Sequence, residues 1–401
     1  MALTYKLKQA PRALDSTLCG NNRSFDCGNI LFTPCGQRVE LGVELAAGGE
    51  GSVFCAKSAG TPGPLIAKLY HPNQRTRWRE QKLSLMCARP VRSPCVAWPS
   101  ALLYDELRRF AGVLMPRAAG VPLAGFALHP GLLRRQFPEW TRYELVKLAC
   151  NLALSVHELH GYGVILGDLH PGNVMVDADG SVCWVDADSF QVEDYPCAVG
   201  TPRFRAPELH GRYGDCLRTR SHDAYALSVL LFMVQAMGLS PFAYQGAEPG
   251  REGDPTRFPY AFGDYRPPHG LYPPDTYGRY VWSYMPARLR AAQGHNLTYR
   301  PSGNGLHPRV LPEVLARCFE QYLTEMEPGG CRSHPLYREL LPDRPCPPRA
   351  ALAGYRPQYC TDCGKRFWES PEDAARRGQT YDGRTRCKFC IRRRSALAKA
   401  S

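Results

Sequence analysis

The sequence predicts an α+β chain of two lobes, the first rich in strands and the second in helices, followed by a small cysteine module. Three observations carry this. Short apolar runs broken by Gly, Ser and Pro fill residues 43–115. A long helical pattern opens at Tyr143. Near the end, four cysteines come as two Cys-x-x-Cys pairs. The 401 residues suffice for one large and one small domain, and 44% apolar content supports a substantial core.

Residues 1–40 hold turn signals and little periodicity, so they read as an irregular extension with a strand or two. From Val43 to Tyr70 two strand-like stretches flank turns. The first enters Gly48-Gly49-Glu50-Gly51-Ser52-Val53-Phe54, and the second is Leu65-Ile66-Ala67-Lys68-Leu69-Tyr70. Arg75 to Ala88 reads as a helix with Leu83 and Met86 on one side. Val96 to Met115 reads as two strands joined by the charged turn Asp105–Arg109. Tyr143 to His160 is a helix, with Leu145, Leu148, Leu152, Val156 and Leu159 at three- and four-residue intervals. The uncharged stretch Ala224 to Leu239 is sixteen residues long, short for a membrane span, and reads as a buried core helix. Residues 246–276 read as a surface insertion, and 343–357, with four prolines, as a linker. The expected domains are therefore the extension 1–40, a two-lobed domain 41–342, the linker 343–357 and a module 358–401.

The formal net charge is +13, and +8 of it falls from Asp343 onward. Seventeen cysteines, mostly single and irregularly spaced, argue against a disulfide framework and for a reducing compartment. The opening residues Met-Ala-Leu-Thr-Tyr-Lys contain no apolar run of the secretory kind. A cytoplasmic location with no membrane partner is the expectation.

Gly167-Asp168-Leu169-His170-Pro171-Gly172-Asn173, with Asp186 thirteen residues beyond Asn173, sets three oxygen-bearing side chains around a turn and hairpin. Magnesium prefers such ligands and is usually held by one or two carboxylates plus substrate phosphates. An Asp that orients a hydroxyl, with an Asn and an Asp for metal, forms a phosphoryl-transfer site.

These residues, with others in the same order over about 43–340, resemble the eukaryotic-type Ser/Thr protein kinases in their divergent bacterial form. The resemblance implies a two-lobed protein-kinase-like fold, ATP and Mg2+ as cofactors, and a protein substrate. Gly48 and Gly51, with Gly49 between and Val53 after, stand where the nucleotide loop has its second and third glycines; Ala46 stands at the first. Lys68 matches the strand lysine that pairs the phosphates, with Glu80 as its expected helix partner. Val113-Leu114-Met115-Pro116-Arg117 resembles the segment behind the adenine, which puts Met115 against the base. Asp168 is the expected catalytic base, and Asn173 and Asp186 the magnesium ligands. Gly200 to Glu208, ending Ala206-Pro207-Glu208, matches the end of an activation segment, with Arg332 as the expected partner of Glu208. His222-Asp223-Ala224-Tyr225-Ala226-Leu227 resembles the start of the family's central helix.

The departures from the pattern bear on function. Leu166-Gly167 replaces His-Arg before the base, so switching through a phosphorylated loop is expected to be weak or absent. His170 replaces a lysine, as in small-molecule phosphotransferases such as those acting on aminoglycosides. Asp186-Ala187-Asp188 replaces Asp-Phe-Gly, and Asp188 either adds a carboxylate near the metal or caps the local turn. Two alternatives to a protein kinase thus stay open, a small-molecule phosphotransferase and a non-catalytic pseudokinase scaffold. By family analogy, phosphatases and von Willebrand-type adaptors are possible partners.

Cys360, Cys363, Cys387 and Cys390 form two knuckles 23 residues apart, the pattern of a tetrahedral Zn2+ site, with a redox pair as the rival reading. The first knuckle resembles small bacterial zinc ribbons. So short a module buries little apolar surface, and zinc would supply about 10–16 kcal/mol toward its folding. The run Arg392-Arg393-Arg394 suits nucleic acid, an acidic protein or plain solvation.

Overall fold

The computed structural model describes residues 17–19, 24–209, 216–235, 238, 241, 285–298, 309–326, 356–359 and 366–369. The chain divides into two compact units, Met1–Cys346 and Pro347–Ser401.

The first lobe is a closed antiparallel barrel. Strands β1 (Ile30–Phe32), β2 (Arg38–Ala47), β3 (Gly51–Ser58), β4 (Leu65–Tyr70), β5 (Ala101–Tyr104) and β6 (Phe110–Pro116) are ordered β1-β2-β3-β4-β6-β5. Alternate residues face inward, so Leu31, Val39, Leu41, Phe54, Ala67, Leu69, Leu103 and Leu114 fill a small core of their own. Gly51 must be glycine here, because a Cβ would lie 2.0 Å from the carbonyl oxygen of Leu69.

Helix α1 (Arg77–Ala88) follows β4. It starts two residues later than the sequence pattern suggested. Thr76 caps it through Oγ1, which accepts from the amide of Arg79 at 3.2 Å. Arg75 is instead buried, its Nε donating to the carbonyl of Tyr70 at 2.8 Å.

The second lobe begins with a short helix α2 (Pro130–Gln136) and the long helix α3 (Arg142–Gly161). A capping box of Thr141 and Glu144 starts α3, and its five expected apolar positions are all buried. The buried helix α4 (Arg220–Gln235) packs on α3, with every residue from His222 to Gln235 buried. Helices α5 (Ala287–Thr298) and α6 (Pro312–Glu325) complete the core. Among the described residues no helix is long and apolar enough to cross a membrane.

Short strands carry the site, one before α2 and four between α3 and α4. These are β7 (Val121–Pro122), β8 (Val164–Ile165), β9 (Val174–Val176), β10 (Val182–Trp184) and β11 (Gln191–Val192). In the second unit, β12 (Arg356–Tyr359) and β13 (Arg366–Glu369) pair antiparallel and bracket the first cysteine knuckle. The four expected zinc cysteines, the basic run at 392–394, the linker 343–357 and the insertion 246–276 lie outside the described residues, apart from Arg356 and Pro357.

Candidate active site

The loop between β8 and β9 is held from beneath by one buried carboxylate. Asp223, in the first turn of α4, accepts the amides of Leu166 at 2.8 Å and Gly167 at 2.9 Å, and His160 Nε2 lies 2.9 Å away. Gly167 has φ of +74°, and a Cβ there would lie 2.6 Å from Cys197 Cβ and 2.8 Å from the Arg218 guanidinium. Glycine is therefore required by both backbone and packing.

Asp168 follows directly. Its Oδ1 accepts the amide of Thr201 at 2.7 Å, and its Oδ2 lies 3.6 Å from His170 Nε2. His170 Nδ1 accepts the amide of Gly172 at 3.0 Å, which leaves Nε2 to carry the proton. Burial holds the His170 pKa below the ordinary imidazole value, against the pull of Asp168. Asn173 donates through Nδ2 to the carbonyl of Asp168 at 3.2 Å. Among the described residues no donor reaches its Oδ1. The β9–β10 hairpin then returns the chain, and the amide of Val185 donates to the carbonyl of Asn173 at 2.9 Å. This places Asp186 beside Asn173.

Asp186 sits in the left-handed region at φ +61°, a conformation Asp tolerates better than most side chains. The turn aims Asp186 and Asp188 at Lys68. Lys68 bonds Asp186 Oδ1, lies 2.7 Å from Asp188 Oδ2, and has Glu50 at 3.8 Å. Tyr70 donates its hydroxyl to the same Oδ2 of Asp188 at 2.6 Å. The carboxylates differ in exposure, with the Asp186 side chain 35% accessible and that of Asp188 3%. Burial, and then the charge of Asp188, raises the Asp186 pKa. Burial would raise Asp188 too, but the donors Lys68 and Tyr70 outweigh it and hold that carboxyl below the usual range. Burial works against the Lys68 charge, yet the two aspartates keep it firmly protonated.

The expected Lys68–Glu80 pair is not formed. Glu80 accepts the Tyr104 hydroxyl at 2.8 Å instead. Neighbouring helix residues differ by roughly 100° in direction, and the face of α1 that turns toward the cleft carries Arg79 and Lys82. Arg79 reaches Glu50 at 2.9 Å, and its guanidinium covers the Tyr70 ring at 4.4 Å from the centroid. Lys82 is buried, and burial lowers its pKa to about 8.

Of the other expected positions, Met115 is buried in the main core and pairs in register with Ile66, and Val53 pairs with Lys68 across β3 and β4. Added Cβ atoms at Gly48 and Gly49 would meet open or nearly open space, so the protein's own packing does not demand glycine there. Arg332 lies outside the described residues, and Glu208 pairs with Arg309. Two guanidinium nitrogens of Arg309 reach the two Glu208 oxygens, one of them at 2.9 Å. The expectation failed because the true partner lies 101 residues away with no local signal.

The sequence reading also missed the roles of Asp223, Asp188 and Arg218. Arg218 puts a guanidinium beside Gly167, where the kinase pattern has its own arginine, and bonds the carbonyl of Val199. An Asp opening an apolar helix was the readable sign of Asp223. For Asp188, the sign was the spacing of Asp186-x-Asp188 against Lys68-x-Tyr70.

No protein-family model matches the chain. It is 31% identical over 257 residues to the protein kinase YegI of Escherichia coli K12, a match covering 61% of this chain and 39% of that protein. The chain is protein-kinase-like over that span. It spans about two fifths of the length of that relative. The O157:H7 counterpart is 30% identical over the same length. The Schizosaccharomyces pombe serine/threonine-protein kinase ppk34 is 28% identical over 100 residues, 24% of this chain and 27% of that one. Among solved structures, the ROP18 kinase domain in complex with AMP-PNP and sucrose covers 74% of this chain and 85% of its own, at 16% identity and a TM-score of 0.48.

Proposed function

We propose that this chain transfers the γ-phosphoryl group of ATP to Ser or Thr hydroxyls of a protein. The observation that carries the reading is the meeting of Lys68 with Asp186, across the two lobes, beside a loop that presents Asp168 and Asn173. The donor chemistry suits a magnesium nucleotide. Asp186 and the Asn173 amide oxygen are hard oxygen ligands, Lys68 is a fixed cation, and Gly48 and Gly49 leave space for phosphate. Bound Mg2+ would neutralise phosphate charge. Asp168 would orient the acceptor hydroxyl, its other oxygen pinned by Thr201.

Support for a protein acceptor comes from the 200–208 segment, which the Arg309–Glu208 pair anchors to the second lobe. A small-molecule acceptor is the competing outcome. Incubation of the full chain with labelled ATP and generic protein acceptors distinguishes the two. We expect label on protein, reduced about 10²–10⁴-fold in Asp168→Asn, the usual worth of a positioned base. Label confined to a small acceptor would overturn the protein-kinase reading. Absence of any Mg-ATP binding would support a scaffold.

For the second unit the proposal is one structural Zn2+ on Cys360, Cys363, Cys387 and Cys390. The spacing and the hairpin around the first knuckle support it. Metal analysis of protein purified without chelator should find one zinc per chain; a zinc-free protein would argue for a different role.

A further inference from the structure

The family pattern places a carboxylate from helix α1 on the strand lysine. Here α1 offers none, since Glu80 is bonded to Tyr104 and the cleft face carries Arg79 and Lys82. We propose that Asp188, oriented by Tyr70, is the positioning residue for Lys68 and takes over the task of the missing helix glutamate. This rests on the kinase reading above.

Three features of the geometry lead there. Lys68 and Tyr70 are two apart on β4, so both side chains leave the same face of the strand. Both converge on one oxygen of Asp188, at 2.7 and 2.6 Å. Asp188 is sealed from solvent while Asp186 is partly open. A closed carboxylate can hold a lysine but offers little room to a hydrated cation, whereas Asp186 has that room. The two carboxylates thus divide the work, Asp186 facing the ligand side and Asp188 the protein side.

The buried Ala187 between them lets the turn stay short. Leaving Lys68 unpaired here would strand a buried charge, and a second buried carboxylate alone would do the same; each is the other's solvation. The cations on α1 follow from this arrangement. With Glu50, Asp186 and Asp188 already around Lys68, another helix carboxylate would add repulsion, and Arg79 and Lys82 offset the excess. Among the described residues, Asp188 Oδ1 and Arg79 Nη1 are both buried without a hydrogen-bond partner. Lys68 is therefore held by its own strand and by the 186–188 turn, not by the placement of α1.

A double-mutant cycle on the full chain tests the role. Steady-state rates and Mg-ATP dissociation constants are measured for wild type, Asp188→Asn, Lys68→Met, the double variant and Glu80→Gln. We expect Asp188→Asn to lower kcat/KM about 10²-fold, the scale of a misplaced contact. It should cost less than about threefold more in the Lys68→Met background, because its effect passes through that lysine. Glu80→Gln should stay within about twofold. The proposal is overturned if Asp188→Asn is within threefold of wild type, if its loss adds in full to that of Lys68→Met, or if Glu80→Gln is equally damaging. Should Asp188→Asn not fold, Tyr70→Phe runs the same cycle with about a tenfold loss expected. A wild-type chain that neither binds nor turns over Mg-ATP overturns the kinase reading itself. A competent wild type with an indifferent Asp188 overturns only the positioning role.

Discussion

The two walls of the cleft follow different rules. On the second-lobe wall, the loop from Gly167 to Asn173 keeps its expected order, and its scaffold is a set of backbone bonds to one buried carboxylate, Asp223. On the first-lobe wall, the lysine is where the kinase pattern puts it, but its partner has changed from a helix to a turn. The contrast teaches that a group held through backbone amides resists redistribution, because several donors would have to move together. A single ion pair between side chains can be re-sourced from any element that reaches the same point. Arg218 beside Gly167 is a second example, a guanidinium supplied from elsewhere in the chain that bonds the carbonyl of Val199.

The largest effect expected on the second-lobe wall is at Asp223. Asp223→Asn keeps the size but turns one acceptor into a donor facing the Leu166 and Gly167 amides or His160. We expect a destabilisation of about 2–4 kcal/mol from unpaired buried polar groups. With the 167–173 loop displaced, kcat/KM of the proposed reaction should also fall by about 10²-fold. Urea midpoints and initial rates measure both. A folded variant with wild-type rates would show that the loop does not depend on this carboxylate, and the comparison would collapse.

A smaller effect sharpens the contrast from the other direction. Gly167→Arg restores the arginine of the family pattern, yet it should harm this protein. The backbone there is left-handed, at about 1–2 kcal/mol for a residue with a Cβ. The side chain would also press on Cys197 and meet a guanidinium already in place. Overpacking of this kind adds about 1–3 kcal/mol. A thermal midpoint equal to or above wild type would mean that Arg218 does not occupy the space in solution.

How much of this could be read beforehand follows the same division. The strands and turn at 96–115, the helix from Tyr143 and the buried helix at 224 were legible because period and composition are local properties. Asp168, Asn173 and Asp186 were legible as neighbours because one short hairpin fixes their separation. Glu80 was misassigned because its direction depends on the rotation of α1 about its axis, which the capping by Thr76 and the packing of Met86 decide. Arg309 could not be found from sequence, since a contact 101 residues distant leaves no periodic trace.

The smallest effect concerns pH, and it separates the anchored wall from the rearranged one. His222 is buried beside Glu208 at 3.6 Å and accepts the Thr219 amide through Nδ1 at 2.8 Å. Glu208 favours its protonation and Arg309 opposes it, with Asp223 and Arg218 as weaker influences of opposite sign. Burial is the largest cause, and it lowers the His222 pKa to about 4. In the unfolded chain the value is about 6.5. Between those limits the unfolded state binds more protons, so stability is complete above about pH 6.5 and declines as pH falls toward 4. Glu208 is held below its ordinary value, since Arg309 outweighs the effect of burial, so its contribution is lost in the same direction but at lower pH. From about pH 6.5 to 5 the Glu208 contribution is constant, while His170, held low by burial, and Asp186, raised by burial, titrate alongside His222, so the share of His222 is the difference between wild type and a variant. His222→Gln should change the slope of the stability curve there by the histidine's share, on the order of 1–3 kcal/mol by pH 4. Urea unfolding at pH 7, 6 and 5 reads it directly. An equal slope in wild type and variant would mean that His222 is solvated when folded, and that the Glu208–Arg309 anchor is looser than the structure portrays.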